Sequence, residues 1–194
     1  MGKTDLHNGL RELALAANSQ ATALLGRLFD AEVVMAPPNV ASLEVGELGM
    51  YIAEDPANAV TLCQAYLAPG LKGEALLVLN SSPSQVAQLL KFDDHVDATV
   101  EAELVADIAN IIVGAYLKGF GDQLDMSFSQ GFPRILDRSA TRADLADRRI
   151  PRQQRTLTIE TSGRIDSPAA SFDLLMLFSE DSVDTFDQLL AYLH

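Results

Sequence analysis

Asp107 and Asn110 stand three residues apart in the stretch ELVADIANIIVGAY, whose periodicity is that of a helix. At about 100° per residue, Glu103, Asp107, Asn110 and Gly114 share a stripe roughly 60° wide. Leu104, Ile108, Ile111, Ile112 and Ala115 fill a neighbouring arc, so the apolar arc turns to the core and the polar stripe to solvent. An ionised carboxylate accepts hydrogen bonds and attracts cations, whereas an amide both donates and accepts. Held side by side one turn apart, the two heads suit a polar or charged group brought to the helix. Helix physics alone is equally satisfied by a solvated polar face, although Asn is a mediocre helix former and nothing in the helix demands it. Gly114 removes bulk from the same stripe at about 1 kcal/mol of helix propensity. That points to a close approach there, by a partner or by a crossing strand of the same chain.

The elements that must carry these residues are written twice. A helical pattern opens each half, DLHNGLRELALAANSQATALLGRLF in the first and VDATVEAELVADIANIIVGAYLKGFGDQL in the second. Each gives way to an extended, proline-containing stretch, AEVVMAPPNV and MSFSQGFPRIL, and each half closes on an apolar strand feeding a helix, EALLVLNSSPSQVAQLL and FDLLMLFSEDSVDTFDQLL. Between them lie β-rich segments: LGMYIAE and AVTLCQAYL in the first half, QRTLTIETSGRI in the second. A shift of 95 residues carries Glu12 onto Asp107, Leu13 onto Ile108, Leu15 onto Asn110 and Pro38 onto Pro133. The shift grows to 98 at Leu76 and Leu174 and to 100 at Leu89 and Leu189, so small insertions separate the elements. Repeats of this make-up predict one α+β domain of two repeats, about 1–91 and 92–194. It is internally duplicated and pseudo-twofold, with two long helices packed on a mainly antiparallel sheet.

Composition narrows the function classes. A chain of 194 residues with 48% hydrophobic and 21% charged residues is long enough to bury a core and has the make-up of an ordinary globular protein. Its net charge of -13 argues against non-specific binding to nucleic acid or to anionic membranes. No apolar run reaches the length of a membrane span, and the start MGKTDLHN carries neither a signal-peptide core nor a myristoylation pattern, so the expected location is the cytoplasm. Cys63 is the only cysteine, which excludes an internal disulfide and a multi-cysteine metal site; within AVTLCQAYL it reads as a small core residue. His7, His95 and His194 are too scattered to suggest a metal site or a triad, and APGLKGE lacks phosphate-loop spacing. From Arg134 to Arg155, seven arginines face Asp137, Asp144 and Asp147, a local +4 against -17 for the remainder. That run is either a solvated surface loop or a docking surface for an acidic partner.

Taken together, the residues on the second helix resemble the CheC/CheX/FliY family of response-regulator phosphatases, relatives of the flagellar switch proteins. The family's pattern is an acidic or Ser residue, three positions, Glu, two positions, Asn, then twenty-two positions to a Pro. Glu103, Asp107, Asn110 and Pro133 meet that spacing at every step, with Asp107 in place of the usual Glu. The substitution shortens the reach by one methylene, about 1.5 Å. In the first half Glu12 keeps the acid and Pro38 its distance, but Leu15 replaces the Asn. The resemblance therefore implies a CheC-like domain with one competent site on the second helix and a vestigial one at Glu12, Leu15 and Pro38.

It further implies the chemistry. A CheY-like receiver carries its phosphoryl group on an aspartate, with magnesium and a lysine already neutralising charge, so hydrolysis lacks mainly a positioned water. By resemblance Asn110 would orient that water and Asp107 would bind the receiver's lysine, with Glu103, Gly114 and Pro133 at the docking rim. The magnesium belongs to the phosphorylated receiver, and no metal or other cofactor is expected in this chain. A CheD-like protein is a further implied partner, and the family includes monomers and homodimers. The pathway is chemotaxis or another phosphorelay. The alternative within the same resemblance is a catalytically silent docking or scaffold module, like the middle domain of FliM, which shares the fold without the motif.

Overall fold

A computed structural model describes residues 3–44, 59–136 and 155–193. Helix α1, Lys3–Phe29, leads into the short strands β1, Val33–Met35, and β2, Asn39–Glu44. Strands β3, Val60–Ala68, and β4, Leu71–Asn80, form a hairpin that feeds helix α2, Pro83–Leu89. The same series then repeats. Helix α3, Ala98–Leu124, is followed by β5, Ser129–Gln130, and β6, Arg134–Ile135, then by the hairpin β7, Arg155–Asp166, and β8, Ala169–Phe178, and lastly by α4, Glu180–Leu193. The stretch LGMYIAE and residues 137–154 of the arginine-rich run lie outside the described residues.

Local chemistry places the ends of these elements. Asp97 caps α3, its carboxylate accepting from the Thr99 and Val100 amides at 2.9 Å, a cap that stabilises a helix by about 1 kcal/mol. Asp125 ends the helix in the left-handed region at φ 51°, and the Met126 amide closes back onto the Gly121 carbonyl at 2.9 Å. At α2 a reciprocal capping box joins Ser82 and Gln85, with Pro83 opening the helix, where its missing N–H costs nothing.

The eight strands of the described residues join one antiparallel sheet in the order β1-β7-β8-β4-β3-β5, with β2 also on β7 and β6 also on β3. The opening strands are thus exchanged between halves. β1 and β2 pair with the second half's hairpin, and β5 and β6 pair with the first half's. At the centre β4 meets β8 with Leu76 opposite Leu175 and Leu77 opposite Leu174, two pairs that the 98-residue shift interchanges. The pseudo-twofold axis passes between them.

Helices α1 and α3 pack together across one face of the sheet. Leu10, Ala14, Ala17, Ala21 and Leu25 of α1 and Ile108, Ile112, Val113, Tyr116 and Phe120 of α3 are buried against Leu62, Tyr66, Leu77, Ile159, Leu174 and Met176 of the sheet. Full burial of one such leucine or isoleucine stabilises the fold by about 1.5–3 kcal/mol. Tyr66, Phe120, Phe178 and Phe186 interlock edge to face or tilted, with the Phe178 and Phe186 centroids 5.0 Å apart. Ile111, expected in the core arc, is half-buried at its margin. A smaller apolar cluster of Cys63, Leu76, Leu175 and Leu177 is separate from this core, which agrees with Cys63 as a packing residue.

Candidate functional site

The polar stripe of α3 is where its periodicity put it. Glu103, Asp107 and Asn110 are exposed, and Gly114 and Pro133 are half-buried. Asp107 has no hydrogen-bond or ion-pair partner among the described residues, so its carboxylate is available to an incoming cation. The crowding expected at Gly114 comes from within the chain. Gln130 of β5 lies over it, and a Cβ at position 114 would fall 2.9 Å from the Gln130 Nε2.

Asn110 is tied down from an unexpected direction. Gln64, on β3 of the first half and only 1% exposed, donates from Nε2 to Asn110 Oδ1 at 2.9 Å and to the Gly131 carbonyl at 2.8 Å. Gln130 Oε1 lies at 3.3 Å from the same nitrogen. Oδ1 of the exposed Asn110 is engaged by Gln64, and its Nδ2 donors have no partner among the described residues. Gly131 is two residues before Pro133, so one buried amide holds both the helix residue and the segment between β5 and β6 that carries the proline. Phe132, in that segment, is 93% exposed.

Sequence reasoning missed Gln64 and Phe132. The only signal for Gln64 is register: Leu62, Tyr66 and Ala68, at even spacing on the same strand, all belong to the main core. A polar residue in that register is out of place. Phe132 had the signal of an aromatic inside a Gly-Phe-Pro stretch.

In the first half Glu12 is exposed, Leu15 is 42% exposed and Pro38 is buried. The amide there sits one turn later. Asn18, buried, donates to the Ala36 carbonyl at 2.7 Å and to Thr161 Oγ1 at 3.0 Å. Its donors therefore find partners inside the chain, unlike those of Asn110. Asn18 also lines an open groove of about 410 Å³ with Leu15, Ser19, Thr22, Val34 and Met35, a surface of mixed character where the second half presents Asn110 and Gln130.

Among the described residues no group of three or more His, Cys, Asp or Glu could share a metal ion, and no helix is long and apolar enough to cross a membrane. His7 instead meets the Ser42 hydroxyl at 3.3 Å.

No protein-family model matches the chain, and no curated protein matches it. Solved structures do. FliY of Thermotoga maritima superposes with a TM-score of 0.67 over 100% of this chain and 99% of its own, at 15% identity. The chain has the CheC-like fold. The FliM middle domain of H. pylori matches at TM-score 0.64 over 97% of this chain and 99% of its own, at 11% identity. A chemotactic CheC-like protein of Shewanella oneidensis matches at 0.52 over 85% and 96%, at 14% identity. This CheC-like architecture, helices packed on an antiparallel sheet, is shared with the FliY and FliM structures, and identities this low speak to fold alone.

Proposed function

We propose that this chain dephosphorylates a phosphorylated CheY-like receiver domain. The observation that carries the reading is the anchored Asn110: an exposed amide held at Oδ1 by a buried partner, its Nδ2 donors and the neighbouring Asp107 carboxylate having no partner among the described residues. An acyl phosphate needs a water in line with its departing oxygen, and a fixed amide can hold that water. Asn110 is the water-positioning residue in this reading. Asp107 pairs with the receiver's lysine and sets the pose, Glu103 extends the acidic rim, and Phe132 and Pro133 supply apolar surface at the edge of the contact. The receiver brings its own magnesium, and the work takes place in the cytoplasm. A CheD-like protein is a candidate partner on the same fold.

A second reading has its own support. FliM middle domains share the fold, and H. pylori FliM is seen in complexes with FliG and with SpeE. The first half lacks the amide at Leu15, and Asp107 is one methylene short of the usual acid. Both features suit a docking module that binds a receiver without turning it over.

The test is the decay of a phosphorylated CheY-like receiver with wild-type chain and with Asn110→Ala. Accelerated decay that Asn110→Ala abolishes supports the phosphatase. Binding to several receivers with no acceleration supports the docking module.

A further inference from the structure

We infer that Gln64 is the positioning residue of this site: it sets which way the Asn110 amide faces and locks Asn110 to the segment between β5 and β6 that carries Pro133. Its consequence for rate rests on the phosphatase reading; its hold on Asn110 does not.

The geometry is one of supply and demand. A primary amide has two N–H hydrogens, and Gln64 has two near acceptors for them, Asn110 Oδ1 at 2.9 Å and the Gly131 carbonyl at 2.8 Å. Because Asn110 Oδ1 meets a donor, the amide cannot turn over without setting its own N–H against the Gln64 N–H. Gln64 is itself confined by burial, and its Oε1 has no hydrogen-bond partner among the described residues, a loss that an apolar residue at this place on the strand would avoid. What Gln64 supplies in return is the pair of donated bonds. Without them, an exposed Asn side chain is free to rotate about its last torsion.

The first half provides a comparison inside the same molecule. Thr161 of β7 stands where Gln64 stands on β3: the residue after Gln64 accepts the Gly131 amide at 2.9 Å, and the residue after Thr161 accepts the Ala36 amide at 2.8 Å. Thr161 Oγ1 also donates to the Ala36 carbonyl, at 2.9 Å, as Gln64 does to Gly131. A threonine hydroxyl has one hydrogen and a short reach, so it can only receive the helix amide, and Asn18 is drawn inward with its donors consumed. The longer side chain and second hydrogen of Gln64 reach one turn back along the helix and reverse the direction of the bond. The orientation of the Asn110 amide follows from the residue on the strand as much as from the residue on the helix.

The experiment uses the full chain as wild type, Gln64→Met and Gln64→Glu. Met keeps the volume and removes both donors, and Glu keeps the shape with at most one hydrogen to give, so it cannot serve Asn110 and Gly131 together. Circular dichroism confirms folding, and the NMR order parameter of the Asn110 Nδ2 group reads its mobility directly. The expected result is an ordered amide in wild type and a mobile one in Gln64→Met, with Gln64→Glu between them or turned over. With a phosphorylated receiver, kcat falls about 10- to 100-fold in Gln64→Met, while KM stays within about twofold. An Asn110 amide that stays ordered in both variants overturns the inference, as does a kcat in Gln64→Met equal to that of wild type. If wild type shows no turnover, the phosphatase reading falls, and the order parameter alone decides whether Gln64 holds Asn110.

Discussion

Gln64 and Thr161 make the same bond on opposite sides of the pseudo-twofold axis, Nε2 to the Gly131 carbonyl at 2.8 Å and Oγ1 to the Ala36 carbonyl at 2.9 Å. Each residue sits on one half's hairpin and reaches a connecting segment contributed by the other half. Each also meets an asparagine on the long helix of that other half, Asn110 or Asn18. The exchange of opening strands is what makes both sites joint products of the two repeats. Their chemistry diverges because one strand residue has two hydrogens to give and the other has one.

Adding an asparagine to the first half should therefore not create a second working site. In Leu15→Asn the new amide lies one turn before Asn18, beyond the short reach of Thr161, whose hydroxyl is already committed to Ala36 and Asn18. The expected outcome is a receiver-decay rate within about twofold of wild type, measured at matched protein concentration. A doubled or larger rate would show that the helix residue suffices without its partner on the strand.

Asp107 is expected to act on affinity. Asp107→Ala removes an exposed carboxylate whose pairing with a lysine is worth about 0.2–1 kcal/mol. KM for the phosphorylated receiver should rise up to about fivefold while kcat changes little. The effect should shrink as salt is raised, because the pair is screened. Asp107→Glu restores the missing methylene and should lower KM below that of wild type.

Two glycines of α3 should respond in opposite ways to alanine. A Cβ at Gly119 meets the Ala17 carbonyl of α1 at 2.7 Å and its Cα at 3.1 Å, backbone atoms that move only with the whole helix. Gly119→Ala should cost about 1–3 kcal/mol in urea unfolding. At Gly114 the nearest atom is the end of the flexible Gln130 side chain, and alanine gains about 1 kcal/mol of helix propensity. Gly114→Ala should stay within about 1 kcal/mol of wild type.

Cys63 sets a pH dependence at the alkaline end. Burial first, and the charge of Glu74 second, push its thiol up from 9.0 to about 11, with Arg134 pulling the other way. A group raised on folding contributes stability that is complete below its unfolded value. That contribution is lost as pH climbs through its folded one, here between about 9 and 11. The contribution is on the order of 2 kcal/mol. Urea unfolding should show a shallower loss over that interval in Cys63→Ala than in wild type, and the native thiol should react slowly with a disulfide reagent at pH 8.

Much of this was legible in the residues themselves. The faces of α1 and α3 follow from 3.6-residue spacing, and the strands β3, β4, β7 and β8 follow from apolar runs between turn residues. The relation of the halves could be read as a shift, because repeated elements leave repeated residues: Leu76 and Leu77 pair with Leu175 and Leu174 where that shift places the axis. Asn110 and Pro133 stood out through the resemblance to the family's motif, whose spacing they meet. Gln64 did not, since a single amide in AVTLCQAYL is an ordinary residue until its register is known to face a helix from the other half.

The sequence by itself determined which residues are helical or extended, which faces are apolar, and that the chain is built twice, because these depend on local periodicity and on likeness between segments. Only the tertiary structure decided that β1 and β2 join β7, that β5 and β6 join β3, and that Gln64 and Asn110 meet. Backbone hydrogen bonds between strands are the same for any residue type, so local pattern does not say whose edge a short strand will close. That choice is made when the whole sheet forms around its axis, and the orientation of Asn110 is made with it.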